Sequence, residues 1–390
     1  MTTKIKESYF LSQPHQPFFL LGIINAFVAI LLFALNYKGI INLKIDTTIF
    51  HVYSIVYLVF TNLFVGFLFT TYSRFNQAPP IEKDYYVNLF YLNALGSILF
   101  YISSFIAHSF VVFAMAVLFV GNAFIVFKLH QIYKTGRATD KKDSFWILIA
   151  FYFGLLANFL LILGEFFPFI QLTAINMAFY LYLILLAFSV GQRMIPFFSH
   201  SFAIKSERFV EIVFALFILK VFFIVGEYKS LEIVTDLLLA GVLSRELLKW
   251  ELHPLQSPSI LWVLHLSLIW LPLAFFLSAI SLALELYLGT SFYFFNLHLL
   301  ALGFLTTVLI GFGTRVALGH SKQSPYDDKL ASKMFIFVQF VVLARALFSI
   351  NVAFGWGLDF LFDISFSLWL ILFLVWGGRY FKVLVFGTKI

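Results

Sequence analysis

The chain has 390 residues, of which 62% are hydrophobic, 20% aromatic and only 12% charged, with a net charge of +7 and no cysteine. A water-soluble domain needs far more polar surface than this, so the composition excludes one. The missing cysteines exclude disulfides, thiolate metal ligands and cysteine nucleophiles, and the positive charge is better explained by loop asymmetry in a membrane protein than by a nucleic-acid partner.

Apolar runs of about 20 residues, enough to cross ~30 Å of hydrocarbon at ~1.5 Å per residue, recur from one end of the sequence to the other. They predict an all-α, polytopic transmembrane bundle of twelve helices near residues 18–37, 49–72, 86–107, 109–130, 144–165, 172–192, 208–226, 231–249, 259–285, 292–318, 330–351 and 360–386. The opening "MTTKIKESYFLSQPHQPFFLLG" lacks an apolar stretch followed by a small-residue cleavage site, so the first run is expected to stay as a helix. Loops are short, no soluble domain fits between the helices, and no convincing internal repeat is visible, so residues 1–390 read as a single integral membrane domain. Of the 26 Lys and Arg residues, 21 fall at the N-terminus, in alternate loops and at the C-terminus, against three (Lys38, Lys44, Lys229) in the opposite loops. That bias predicts cytoplasmic termini.

Ionisable side chains inside spans are costly and mark candidate sites. His51 lies about a turn inside the second helix, and at about 100° per residue Asn62 returns to within about 20° of it, whereas Tyr53 falls on the other side. His298 sits at a similar depth in the tenth helix, on a face continued by Leu302, Leu305, Leu309 and Phe312. Two histidines at matching depth can ligate one centre. Lys220 and Arg345 lie inside the seventh and eleventh helices, where they can pair with Asp236, Glu165 or the propionates of a haem. A second polar group gathers at the cytoplasmic end: Arg193, His265, Arg315 and His320. Arg315 also reads as a snorkelling cation, and His320 as a partner of terminal carbonyls. His298 and His320 are 22 residues apart on one helix, roughly 33 Å, so they cannot serve one centre. No GxSxG, Walker A or HExxH motif appears, and no catalytic residue is assigned.

Four segments, in order along the chain, carry a family resemblance. "QPFFLLG" (16–22) is similar to an "RPFFLLG" element, "GQRMIPFFS" (191–199) to "GGRVIPFFT", "SPSILWVLHLSLIWLPL" (257–273) to a "WVLH" helix, and "LHLLALGFLTTVLIGFGTRVALGHSK" (297–322) to a block ending in "TRxxLGH". Together they resemble the NnrS family of bacterial membrane proteins. The resemblance implies a multi-pass protein of the bacterial cytoplasmic (inner) membrane that contains haem and copper and takes part in the response to nitric oxide and nitrosative stress. It also implies His51, His265, His298 and His320 as ligand candidates, with Arg193 and Arg315 as supporting cations. The family's "WHAHEM" is "FHVYSI" here (50–55), with Tyr53 in place of the second histidine, which weakens the implication of copper more than that of haem.

Two other classes fit the same features. Twelve helices with sparse buried charge also describe a secondary transporter of a small solute. A redox enzyme resembling haem-copper oxidases, acting on nitric oxide, shares the helix number and the histidines.

Overall fold

A computed structural model describes residues 9–320, 324 and 328–387. All twelve expected helices form, and among the described residues there is no strand. They are α1 (His15–Tyr37), α2 (Thr47–Phe75), α3 (Lys83–Ile106), α4 (His108–Thr135), α5 (Lys142–Gly164) and α6 (Pro168–Phe198), then α7 (Phe209–Val225) and α8 (Lys229–Lys249). The last four are α9 (Ser259–Leu288), α10 (Tyr293–Gly319), α11 (Lys329–Phe354) and α12 (Phe360–Phe386).

Ten of these helices are long and apolar enough to cross a bilayer by length and composition. The other two are α7, which has 17 residues and so spans only about 25 Å, and α8, which carries Glu232, Asp236, Arg245 and Glu246. The least membrane-like hairpin of the bundle is thus the one that holds Lys220. Helix α6 runs six residues past its expected end, through Arg193 and Pro196. Proline removes one backbone donor but does not end a helix whose neighbours hold it in place.

The arrangement has a period that the residues themselves do not advertise. Among the ten spans, α2, α6 and α10 are the three most deeply buried, and they touch one another at the centre. Around them the pairs α3/α4, α7/α8 and α11/α12 pack together, and α4 on α5, α8 on α9 and α12 on α1 join the units and close the ring. The bundle is therefore three units of four helices, each sending its second helix inward. Close approach is bought by small residues: a Cβ on Gly313 of α10 would stand 2.6 Å from the Trp376 ring of α12, whose indole N–H donates to Thr314 (3.0 Å).

Each inner helix also carries a π-helical stretch: Ser54–Phe60, Met177–Ile184 and Leu299–Thr306. A π turn bonds i to i+5 and leaves carbonyls poorly served by the ordinary ladder. Threonines supply the donors: Thr61 bonds the Val56 carbonyl (2.8 Å), Thr306 that of Ala301 (2.7 Å) and Thr307 that of Leu302 (3.0 Å).

Asp328 ties α11 to α12. It caps α11 by accepting from the backbone N–H groups of Leu330 (3.0 Å) and Ala331 (3.1 Å), and it accepts from Arg379 (3.2 Å) and Tyr380 (3.1 Å). Burial alone would raise its pKa, but the Ala331 N–H, the Arg379 guanidinium and the Tyr380 hydroxyl outweigh it and hold the carboxyl below its usual value. A carboxyl lowered in the folded state stabilises it fully above the unfolded value, and that contribution is lost as pH falls through the folded one. Thermal unfolding scans are therefore expected to show stability falling from about pH 4 downward. Asp328→Asn should be less stable at neutral pH and show a shallower acid loss.

Candidate functional site

Helix α2 starts at Thr47 because Asp46 accepts from the backbone N–H groups of Thr48 (2.8 Å) and Ile49 (3.0 Å). That start places His51 one turn in, just ahead of the π stretch. His298 holds the same position on α10, just ahead of Leu299–Thr306. The two imidazoles face each other with ring centres 6.2 Å apart and planes within 20°. The His298 Nδ1 lies 2.7 Å from the Phe294 carbonyl, which can only accept, so Nδ1 carries the proton and Nε2 keeps a free lone pair. The His51 ring lies 4.4 Å from that of Phe33, and its Nδ1 is buried without a hydrogen-bond partner.

Both histidines line a cavity of about 400 Å³ bounded by α1, α2, α10, α11 and α12. Arg345 of α11 enters it, donating to Ser349 (3.0 Å) and lying 5.0 Å from the Phe348 ring. Asn36, Tyr37, Thr47 and Thr48 form its polar end beside the α1–α2 turn, Phe33, Leu302 and Trp369 form apolar walls, and among the described residues no carboxylate lines it. The matching depth read from the sequence thus corresponds to a real convergence.

The helical face expected beyond His51 is corrected by the π stretch. Asn62 does not line the cavity but bonds back to the Leu58 carbonyl (2.7 Å), whereas Phe60 does, although an unbroken α-helix would put it about 180° from His51. The wider turns rotate each residue less, so the face slips. On α10 the cavity takes Leu302 and Thr306, and not Leu305.

Tyr53 points away, as its 200° offset from His51 implies. It is fully buried, with its hydroxyl 3.1 Å from both the Met115 carbonyl and the Asn158 side-chain carbonyl. Position 53 therefore faces α4 and α5, and the replacement of histidine there leaves the donor set of this cavity unchanged.

The remaining candidates lie elsewhere. Lys220 is buried in an ion cluster, donating to Glu232 (2.6 Å) and Asp236 (2.7 Å) of α8, with Ser278 of α9 at 3.5 Å. Of its expected partners it takes Asp236, while Glu165 pairs with His108 (2.7 Å). His265 meets Ser199 (2.6 Å) and ties the end of α6 to α9. Arg193 lies over Phe75 (4.3 Å) and bonds Asp143 (3.4 Å), which also accepts from Lys205 and Gln192. Arg315 lies over Phe198 (3.9 Å). The side chain of His320 falls outside the described residues. Sequence reasoning missed Glu232, although its four-residue spacing from Asp236 puts both acids on one helical face.

Among the described residues no cluster of three or more His, Cys, Asp or Glu side chains is set to hold a metal ion. A copper ion needing three or four protein ligands is therefore poorly served. A haem needs fewer protein donors, and an imidazole with a free Nε2, a second imidazole and a guanidinium in one cavity are a donor set that would suit it.

A ring of apolar helices around a cavity that holds two imidazoles and an arginine defines a polytopic membrane protein with an interior cavity. The chain matches the family described as NnrS protein over residues 9–386, and it belongs to the NnrS family. No curated protein matches it.

Proposed function

We propose that this NnrS-family protein holds a haem between α2, α10 and α11 and uses it in the handling of nitric oxide or a similar small diatomic molecule. The observation that supports the reading most is the pairing of His51 with His298 at 6.2 Å in a cavity that also contains Arg345 and, among the described residues, no acid. Bound haem would supply an iron to which a neutral diatomic binds; the chain supplies the rest. His298 is held in one tautomer by the Phe294 carbonyl, with Nε2 ready to ligate. His51, its ring set by Phe33, would be a second imidazole donor that a small ligand can displace. Arg345 would hold a propionate, since its guanidinium meets no described acid in the cavity. The apolar walls keep water out and favour an uncharged diatomic. We further place the protein in the bacterial cytoplasmic membrane with both termini inside, on the Lys and Arg bias.

The test is an absorption spectrum with metal analysis on detergent-purified protein from a haem-replete host. A Soret band that shifts when nitric oxide is added is the expected result. A colourless, metal-free preparation overturns the reading, and copper without haem reassigns the cavity.

A further inference from the structure

At the other end of the three inner helices lies a second cavity of about 420 Å³, between Arg74 of α2, Met194 and Phe198 of α6, and Phe312 and Arg315 of α10. The Arg315 guanidinium rests against the Phe198 ring, and its Nη1 is buried without a hydrogen-bond partner. Among the described residues no carboxylate lines this cavity. Two described acids at the same end of the bundle are engaged elsewhere, Asp143 by Lys205, Gln192 and Arg193 and Asp328 by Arg379 and Tyr380. The floor is apolar: the Phe67 and Phe312 rings, 5.4 Å apart, also bound a small void that lies between this cavity and the histidine cavity.

A guanidinium donor shielded from water and left without an acceptor is costly, and an anion that enters the cavity removes the cost. Stacking on Phe198 fixes the plane of the guanidinium, which presents a fork suited to a carboxylate or phosphate. Arg74, an exposed cation of α2, adds a second positive charge to the lining. The cavity is walled by the three inner helices α2, α6 and α10, and the exposed Arg74 and Gly319 mark its open side.

We propose that this cavity is a binding site for a small organic oxyanion, a carboxylate or phosphate ester on an apolar body, taken from the aqueous phase rather than from a lipid headgroup. The charged group sits between Arg315 and Arg74, and the apolar body lies on Phe312 and Met194. The site is separate from the histidine cavity and is independent of what that cavity holds.

The test is thermal unfolding of the full chain in phosphatidylcholine nanodiscs, titrated with phenyl phosphate and, separately, inorganic phosphate at constant ionic strength. Phenyl phosphate is expected to raise the midpoint saturably, with inorganic phosphate weaker. Arg315→Gln is expected to weaken the apparent affinity about tenfold or more, as loss of a charged hydrogen bond does. Arg315→Lys should fall between, Arg74→Gln should weaken binding too, and Lys134→Gln, at an exposed cation of α4 outside both cavities, should titrate like the parent. If Arg315→Gln does not fold, the Lys and Arg74 variants decide. Absence of saturation, or unchanged titration in the arginine variants, overturns the proposal. So does protection that comes only from phosphatidylglycerol added to the nanodisc and depends on Arg315, because that makes Arg315 a lipid anchor.

Discussion

Replacing both His51 and His298 with alanine is expected to abolish the Soret absorbance of the purified protein while leaving a monodisperse, helical bundle. Each single variant should keep part of the band, because one imidazole suffices to bind haem iron, with a changed peak position that reports the lost imidazole. Arg345→Gln removes no ligand, so its effect should be on affinity alone. Loss of a supporting group around a metal costs roughly 10–100-fold in binding, readable as haem transfer to a competing apoprotein. The ordering matters more than any one value: double variant without haem, singles spectrally altered, Arg345→Gln spectrally normal but leaky. A double variant with an unaltered band would place the haem elsewhere.

The second large effect concerns the buried ion cluster of α7 and α8. Lys220→Met leaves Glu232 and Asp236 buried beside each other without their cation. Removing one partner of a buried ionic group costs about 3–5 kcal/mol, whereas replacing the whole group with neutral residues of similar volume is near neutral. Thermal unfolding in detergent should therefore show a large fall for Lys220→Met and substantial recovery when Glu232→Gln and Asp236→Asn are added. Equal stability of the single variant and the parent would mean that the cluster contributes nothing to holding α7 on α8.

Much of the fold was legible because a bilayer allows few solutions. Without water, a spanning segment must satisfy its own backbone, and a run of apolar residues of the right length has no alternative to a helix. Ten of the twelve helices followed from that rule, whereas α7 and α8 were legible as shorter or more charged runs set off by charged and turn-forming residues. The convergence of His51 and His298 was legible from matching depth, and the outward direction of Tyr53 from 100° per residue. The π stretches were not legible. Nothing in "SIVYLVF" or "LLALGFLT" announces a wider turn, and the misplacement of Asn62 on the cavity face follows directly from assuming an unbroken α-helix. The four-helix period was hidden for a related reason: it is a regularity of where helices sit, carried by interchangeable Leu, Phe and Val contacts that leave no repeated motif. Arg74 was read as one loop charge among many, since only the assembled centre shows that it and Arg315 face one cavity.

The closing of the ring between α12 and α1 has a consequence for where a loosened seam is felt. The indole N–H of Trp369 reaches the Ala26 carbonyl (3.0 Å), and Trp369 and Phe362 share one cavity with Phe33 and His51. Helices far apart in the chain thus contribute to the same walls, so the cavity is complete only when α12 is docked on α1. A substitution that weakens that seam opens the cavity without touching either histidine.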